Sequence, residues 1–307
     1  MTSDNVVVFG GTGMLGRAVA DRLRQDNDTV HALGSADCDL TKLDEVAMVI
    51  DGLKPKAIYH CAGHVGGIIN NRDNQLTFLL RNAQMGMNVV DVATHYNVPK
   101  LIFAGSSCIY PRNCPQPMSE NMINSGPLES TNRGYAIAKL TTMEAVNFAR
   151  EKGHSYMTVM PCNLYGPGDN FGEGGHVMSA LIRRFCDARI NKSEIVTIWG
   201  TGSPRREFLY TTDAADAIVE VSEKLDVPVV NIGSGEDIEI STLAVKIADI
   251  VGWDGTLTFD STKPDGTPKK LLDISHLKSI EWSPKVSLDY GIEMLVKEYV
   301  NGLAKAN

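Results

Sequence analysis

Ser106, Cys108, Tyr135 and Lys139 are the residues of this 307-residue chain whose types and spacing could do chemistry. Tyr135 and Lys139 are four apart, so a helix places them on one face. An ammonium beside a phenol favours the phenolate, which lets the tyrosine pass a proton to or from a carbonyl oxygen. A serine hydroxyl from a strand end can hydrogen-bond that same oxygen. Together they are the apparatus for hydride transfer with a nicotinamide cofactor. Reduction alone does not require Cys108, and a thiol at this place suits a second kind of chemistry.

Such residues need a scaffold to hold them, and the chain supplies one by alternation. Apolar runs at Asn5–Phe9, Thr29–Leu33, Ala57–His60, Lys100–Ala104 and Met157–Met160 read as buried parallel strands. Amphipathic stretches at Gly16–Gln25, Leu43–Leu53, Leu76–Tyr96 and Tyr135–Arg150 read as the helices between them. Strand and helix in alternation predict an α/β fold, a Rossmann-type doubly wound parallel sheet. Residues 1–168 are expected to form this domain, with about 210–235 returning to it through a strand at Val229–Ile232. Residues 169–307 are expected to form a smaller α/β substrate-binding domain over the carboxyl edge of the sheet. Its predicted parts include a helix at His176–Ala188, a strand at Ile195–Trp199 and a basic segment, Arg205-Arg206-Glu207-Phe208, with Arg205 at the surface.

Gly10-Gly11-Thr12-Gly13-Met14-Leu15-Gly16 follows the first strand and opens the first helix, the context that makes a glycine pattern a phosphate site. Gly10 suits the tight turn, Gly13 lets backbone approach a pyrophosphate, and Gly16 permits close helix packing. The GxxGxxG spacing is typical of short-chain dehydrogenases and their extended relatives. Alone it could be an ordinary turn; Ser106, Tyr135 and Lys139 downstream favour the cofactor. The second strand ends Ala32-Leu33-Gly34-Ser35, with no acid for a ribose 2′-hydroxyl and no arginine for a 2′-phosphate. The missing acid leans toward NADP(H), with Asp37, Asp39 and Leu40 near the adenine.

A formal charge of −8 argues against nucleic acid or a membrane surface as the main partner. No apolar run approaches a membrane span, and the first five residues lack a signal-peptide pattern. The cysteines at 38, 61, 108, 114, 162 and 186 have no CxxC spacing, so neither a zinc site nor a disulfide framework is expected. His60 and His64 lack a further ligand, and no metal is expected. These features describe a reduced, cytoplasmic globular protein.

Longer strings narrow the field. Gly105-Ser-Ser-Cys-Ile-Tyr-Pro111, Tyr135-Ala-Ile-Ala-Lys139, Asn163-Leu-Tyr-Gly-Pro167, Asp169-Asn-Phe171 and His176-Val177 recur beside Val65-Gly-Gly-Ile68 and Gln116-Pro-Met118. With Trp199-Gly-Thr-Gly202, Arg206-Glu-Phe208, Lys263-Pro-Asp-Gly-Thr-Pro268 and Lys270-Leu-Leu-Asp273, they make the chain resemble the GDP-L-fucose synthases, extended short-chain dehydrogenases. The resemblance implies epimerisation of GDP-4-keto-6-deoxy-D-mannose at C3 and C5, then reduction of C4 with NADPH to give GDP-L-fucose. It implies Ser106, Tyr135 and Lys139 at the carbonyl, with Cys108 as base and His176 as acid in epimerisation. It continues the cofactor site from Gly10–Gly16 through Ser35, Asp39, Leu40, Ala104, Gly105, Ser106, Lys139, Pro161, Asn163, Leu164 and His176. The sugar nucleotide would meet Ser107, Asn163, Val177, Arg184, Trp199, Arg206, Asp265 and Lys270. The family's homodimer packs through two long helices per subunit.

The residue types fit that chemistry. Protons beside a ketone are acidic because the enolate oxygen can be stabilised, and inversion needs a base on one ring face and an acid on the other. Guanidinium and ammonium groups suit a diphosphate, and an indole packs on a sugar or base. Out of context, Cys108 would be a small buried hydrophobe and His176 a loop histidine. The loop before His176 is one residue shorter than the family pattern, and Cys162 replaces the usual threonine. An alternative substrate is therefore another GDP-4-keto sugar, such as a 6-deoxy-heptose. A 4,6-dehydratase would need an acid pair near Ser106, which is lacking. A silent nucleotide-binding scaffold would have no use for Cys108, Tyr135 and Lys139.

Overall fold

Three valines and a phenylalanine in succession make β1 (Asn5–Phe9) a strand buried on both faces, with Val6 to Phe9 at most 1% exposed. Burying such side chains contributes about 1.5–3 kcal/mol each, which fits a strand central in its sheet. In this computed structural model, which describes residues 4–26, 28–172, 174–263 and 265–306, β1 lies between β2 (Thr29–Leu33) and β3 (Ala57–His60). Glu173 of the glycine-rich loop and Pro264 of the Lys263–Pro268 string lie outside the described residues. Helices α1 (Met14–Gln25) and α2 (Leu43–Leu53) join these strands. Next come α3 (Ile68–Asp73), α4 (Gln75–His95), β4 (Lys100–Ala104), α5 (Arg133–Glu151) and β5 (Ser155–Pro161).

The chain then leaves the sheet through β6 (Asn163–Tyr165), α6 (Val177–Ile190), β7 (Ile195–Trp199), β8 (Arg205–Tyr210) and α7 (Thr211–Lys224). It returns in β9 (Val229–Ile232), where Pro161 of β5 pairs with Ile232. The resulting parallel six-stranded sheet has the order β2-β1-β3-β4-β5-β9, as expected of a doubly wound fold. One face carries α1 and α7, bound by Arg22 of α1 to Asp216 (2.9 Å) and Glu220 (3.1 Å) of α7. The other carries α2, α4 and α5, whose apolar side chains pack with Val7, Ile58 and Leu101.

The last part contains β10 (Asp237–Glu239), α8 (Ile240–Val251), β11 (Thr256–Asp260), β12 (Lys269–Lys270), α9 (Ser275–Ser279) and α10 (Leu288–Ala306). Strand β8 pairs with β6, β10 and β12, while β7 pairs with β11. Phe185, Val196, Leu243 and Leu295 belong to a separate apolar cluster among α6, β7, α8 and α10.

The differences from expectation are local. The helix expected at Leu76–Tyr96 is α4, and Asn74 (φ −126°, ψ 32°) separates it from α3. The expected basic segment is the strand β8, because its polar edge is paired. Arg205 lies at the surface as expected, its side chain 44% exposed, and there it pairs with Asp237 and stands 3.8 Å from Glu239. All six cysteines are free. Among the described residues, no cluster of three or more His, Cys, Asp or Glu is arranged for a metal. No described helix is long and apolar enough to cross a membrane.

Candidate active site

The turn after β1 opens where chain connections diverge, between β1 and β3, the place where open α/β sheets bind ligands. Gly10 has φ +75°, and a Cβ there would lie 2.6 Å from the Ala62 nitrogen. A Cβ on Gly16 would lie 2.1 Å from the Gly10 carbonyl oxygen. Gly13 caps α1 without a side-chain acceptor, leaving first-turn amides for an anionic ligand. This cradle fits a dinucleotide pyrophosphate. Beyond β2, Asp37 accepts the Gly34 N–H at 2.8 Å and Asp39 accepts the Thr41 hydroxyl at 2.8 Å. Ser35 is exposed, whereas the Leu40 side chain is core and its carbonyl accepts from Asn88 at 2.9 Å.

Past the end of β4, the Gly105 N–H bonds to the Val159 carbonyl at 2.8 Å, holding this turn against β5. Ser106 starts a tight helical turn, Ser107–Ile109, and its hydroxyl accepts the Cys108 N–H at 3.2 Å. The Ser106 side chain also hydrogen-bonds Tyr135 of α5. One turn on, Lys139 is 5% exposed and its Nζ donates to the Ala104 carbonyl at 2.7 Å. It lies 4.7 Å from the Phe103 ring centroid and 5.8 Å from that of Tyr135. Burial brings the Lys139 ammonium down to about 8, against the opposing influence of Cys61 and Cys108.

The surroundings of Tyr135 oppose ionisation of its phenol. Burial and then Cys108 push the phenol up, outweighing the Ser106 hydrogen bond. Lys139 Nζ points one donor at the Ala104 carbonyl, and burial keeps the phenol in its protonated form near neutral pH. His60 lies beneath, between Phe9 and Phe103, and burial followed by the charge of Lys139 brings it down to about 3.

Cys108 is half-buried and its Sγ accepts from Asn132 Nδ2 at 3.0 Å. His176 stands at the N-cap of α6, with Nδ1 3.8 Å from Asp169 Oδ1. The Asp169 side chain is only 3% exposed, and its Oδ2 has no hydrogen-bond partner among the described residues. Ser106, Cys108, Tyr135 and Lys139 thus form one group, while His176 stands near Asp169 on another segment.

The remaining candidates lie on two groups of elements, β6, β8 and β12 and then α6 and β7. Asn163 Nδ2 donates to the Glu207 carbonyl at 2.8 Å, and Arg206 stands in register with Lys270. Arg206 Nη1 donates to the Thr267 carbonyl at 2.7 Å. Asp265 accepts the Thr201 N–H at 2.9 Å and its hydroxyl at 2.7 Å, and Trp199 is exposed. Arg184 donates to the Thr197 carbonyl at 2.7 Å, and Val177 packs on the apolar cluster around α6. Pro161 and Leu164 flank the crossing from β5 into β6, and Ser107 lies in the turn that holds Cys108.

Sequence reasoning missed Asn132, Asp169 and Glu207. Asn132 belongs to a lead into Tyr135 that departs from the family pattern, and Asp169 stands in a recognised string but has no visible partner. Glu207 lies beside an arginine in sequence, yet its carboxylate turns to the Gly235 N–H (2.7 Å) and Leu272 N–H (2.9 Å). Burial pushes it up to about 7, over the opposing backbone hydrogen bonds.

Residues 6–233 match the model of the NAD dependent epimerase/dehydratase family. GDP-L-fucose synthase 1 of Arabidopsis thaliana is 41% identical over 305 residues, covering 98% of this chain and 94% of that protein. A solved GDP-L-fucose synthetase from Naegleria fowleri, bound to NADP, superposes with a TM-score of 0.90 at 28% identity, covering 99% of this chain and 95% of the other. A GDP-6-OMe-4-keto-L-xylo-heptose reductase from C. jejuni gives a TM-score of 0.90 at 26% identity, covering 98% and 99%. The glycine cradle, the serine–tyrosine–lysine group with its added thiol and these full-length similarities agree: the chain belongs to the NAD dependent epimerase/dehydratase family, among its GDP-L-fucose synthases.

Proposed function

We propose that this protein epimerises GDP-4-keto-6-deoxy-D-mannose at C3 and C5 and reduces C4, giving GDP-L-fucose. The observation that carries this reading is the Cys108 thiol held beside Ser106, Tyr135 and Lys139, a group that reduction alone would not need. The Gly10–Gly16 cradle would hold NADPH, which when bound would provide a hydride for C4. Tyr135, which keeps its proton, and the Ser106 hydroxyl hydrogen-bond the C4 oxygen. Cys108 as thiolate takes a ring proton on one face; its C–H electron pair moves into an enolate on that oxygen. His176, oriented by Asp169, returns a proton to carbon on the other face. Tyr135 gives its proton to oxygen in the final reduction. One set of donors serves every step because each develops charge on the same oxygen.

Arg184, Arg206 and Lys270 bind the diphosphate, and Trp199 packs on the nucleotide. Residues 1–168 with about 210–235 form the cofactor-binding part, and the rest of 169–307 the substrate part. The active form is a homodimer through α4 and α5, which supports a place for Leu76, Leu80, Met87 and Phe148, all exposed on those helices. Six free cysteines and the absence of an apolar spanning helix among the described residues accord with a cytoplasmic enzyme.

The test is turnover of GDP-4-keto-6-deoxy-D-mannose with NADPH in D2O, read by NMR. Deuterium at C3 and C5 of GDP-L-fucose is expected. Cys108→Ser should lower ring exchange at least tenfold, whereas Tyr135→Phe should mainly block reduction. NADPH oxidation without ring deuterium would leave a plain 4-reductase. A second reading, a GDP-4-keto-heptose substrate, is favoured by the similarity to the C. jejuni heptose reductase; turnover of that sugar alone would replace the first.

A further inference from the structure

We propose that Asn132 is a positioning residue for proton abstraction, holding Cys108 ready as a thiolate. The inference rests on the reading of Cys108 as the epimerisation base. Asparagine is favoured at a helix N-cap because its side-chain oxygen accepts a first-turn N–H. Asn132 occupies that place on α5, with φ −128° and ψ 24°, yet makes no capping hydrogen bond. Its side chain turns instead to Cys108, 24 residues earlier, with Nδ2 3.0 Å from Sγ. Its Oδ1 is buried and has no hydrogen-bond partner among the described residues.

Another side chain has taken over the capping. Gln75 of α4 accepts the Gly134 N–H through Oε1 at 3.1 Å. A Cβ on Gly134 would lie 2.3 Å from the Gln75 carbonyl oxygen, so the two helices meet closely at this point. The local helix rule is therefore broken by Asn132 and repaired by Gln75. Such a departure belongs where a side chain has other work.

That work follows from the donor. An N–H bond to sulfur strengthens when the sulfur is charged, so Asn132 favours the thiolate over the thiol. The sulfur also stands beside the start of α5, where the helix dipole favours an anion. Lys139 and Arg206 are both within electrostatic reach of Cys108. When the thiolate takes a proton from carbon, an S–H bond forms and the C–H electron pair enters the enolate. A carboxamide can answer by turning its unpartnered oxygen to the new S–H. Aspartate and leucine lack that pair of functions.

The test alkylates the NADP+-loaded protein with iodoacetamide across pH 6–10 and follows Cys108 by peptide mass mapping. Wild type is compared with Asn132→Ser, which keeps a good cap residue but is too short to reach the sulfur, and with Asn132→Asp. In the serine variant, Cys108 alkylation at pH 7 should fall about tenfold, with wild-type rates restored near pH 10. Deuterium exchange at C3 and C5 should fall by a similar factor, with NADP+ affinity unchanged. The aspartate variant should lose more, since it places a like charge beside the thiolate. An unchanged alkylation profile in both variants overturns the proposal. So does a loss of exchange accompanied by an equal loss of NADP+ affinity. Failure of wild type to exchange ring protons would sink the assigned reaction, while the alkylation profile would still decide what Asn132 does to the thiol.

Discussion

Replacing Glu207 with glutamine should change how stability depends on pH. The Glu207 side chain is 1% exposed and is held by the Gly235 and Leu272 N–H groups. Burial raises its pKa from 4.5 to about 7. At about 1.4 kcal/mol per pH unit, the rise is worth about 3 kcal/mol. The sign follows from proton binding. Between these values the folded chain holds the proton more tightly, so its stabilising effect is full below about 4.5 and lost as pH rises through 7. Glutamine has no such proton, but its NH2 group cannot accept, leaving one backbone donor unsatisfied at a cost of about 1–3 kcal/mol at every pH. Glu207→Gln should therefore be less stable than wild type by about that amount at pH 5, with the gap closing or reversing by about 3 kcal/mol at pH 8. Urea unfolding at fixed protein concentration, with both proteins at each pH, measures this difference. A gap that stays constant from pH 5 to 8 would show that the backbone donors keep the carboxylate ionised, refuting the reasoning.

Gly16→Ala drives a methyl group into the Gly10 carbonyl, 2.1 Å from where its Cβ must sit, with backbone on both sides of the clash. The variant should bind NADPH at least tenfold more weakly and lose about 1–3 kcal/mol of stability; unchanged fluorescence titrations and melting would show that the turn can shift. Leu80→Glu places a charge on the α4 face that carries Leu76 (67% exposed) and Leu80 (57% exposed). Sedimentation should find a dimer in wild type and a monomer in the variant. A dimeric variant or monomeric wild type would remove this face from the assembly.

The main sheet is legible because burial repeats in the sequence. Five residues from Asn5 to Phe9 are read as one strand and found as one, as are the returning residues Val229–Ile232. Strand β8 was harder: Arg205 and Arg206 resemble a solvated run until β10 and β12, distant in sequence, pair beside them. Spacing places Tyr135 and Lys139 on one helix face but does not show that the ammonium bonds to the Ala104 carbonyl. Nor does spacing show the burial that, with Cys108, pushes the Tyr135 phenol up. Asn132 was hidden more deeply, since its identity already satisfied a local rule that its side chain does not follow. Local patterns report the backbone; the partners that set proton affinities come from folding.

Those partners also bear on how the proposed steps share one pocket. Burial acts oppositely on the Tyr135 phenol and the Lys139 ammonium, because it disfavours the charged form of each. Tyr135 is thus kept as an O–H donor through enolate formation, when the C4 oxygen needs stabilisation without losing its carbonyl for good. Cys108 needs the reverse, a charged form at the start, and Asn132 provides a donor at its sulfur. A pocket that only excluded water would drive the phenol and thiol toward their neutral forms together. The proposed role of the Asn132 amide is to separate them, so that a base and a proton donor could work beside the same carbonyl at one pH.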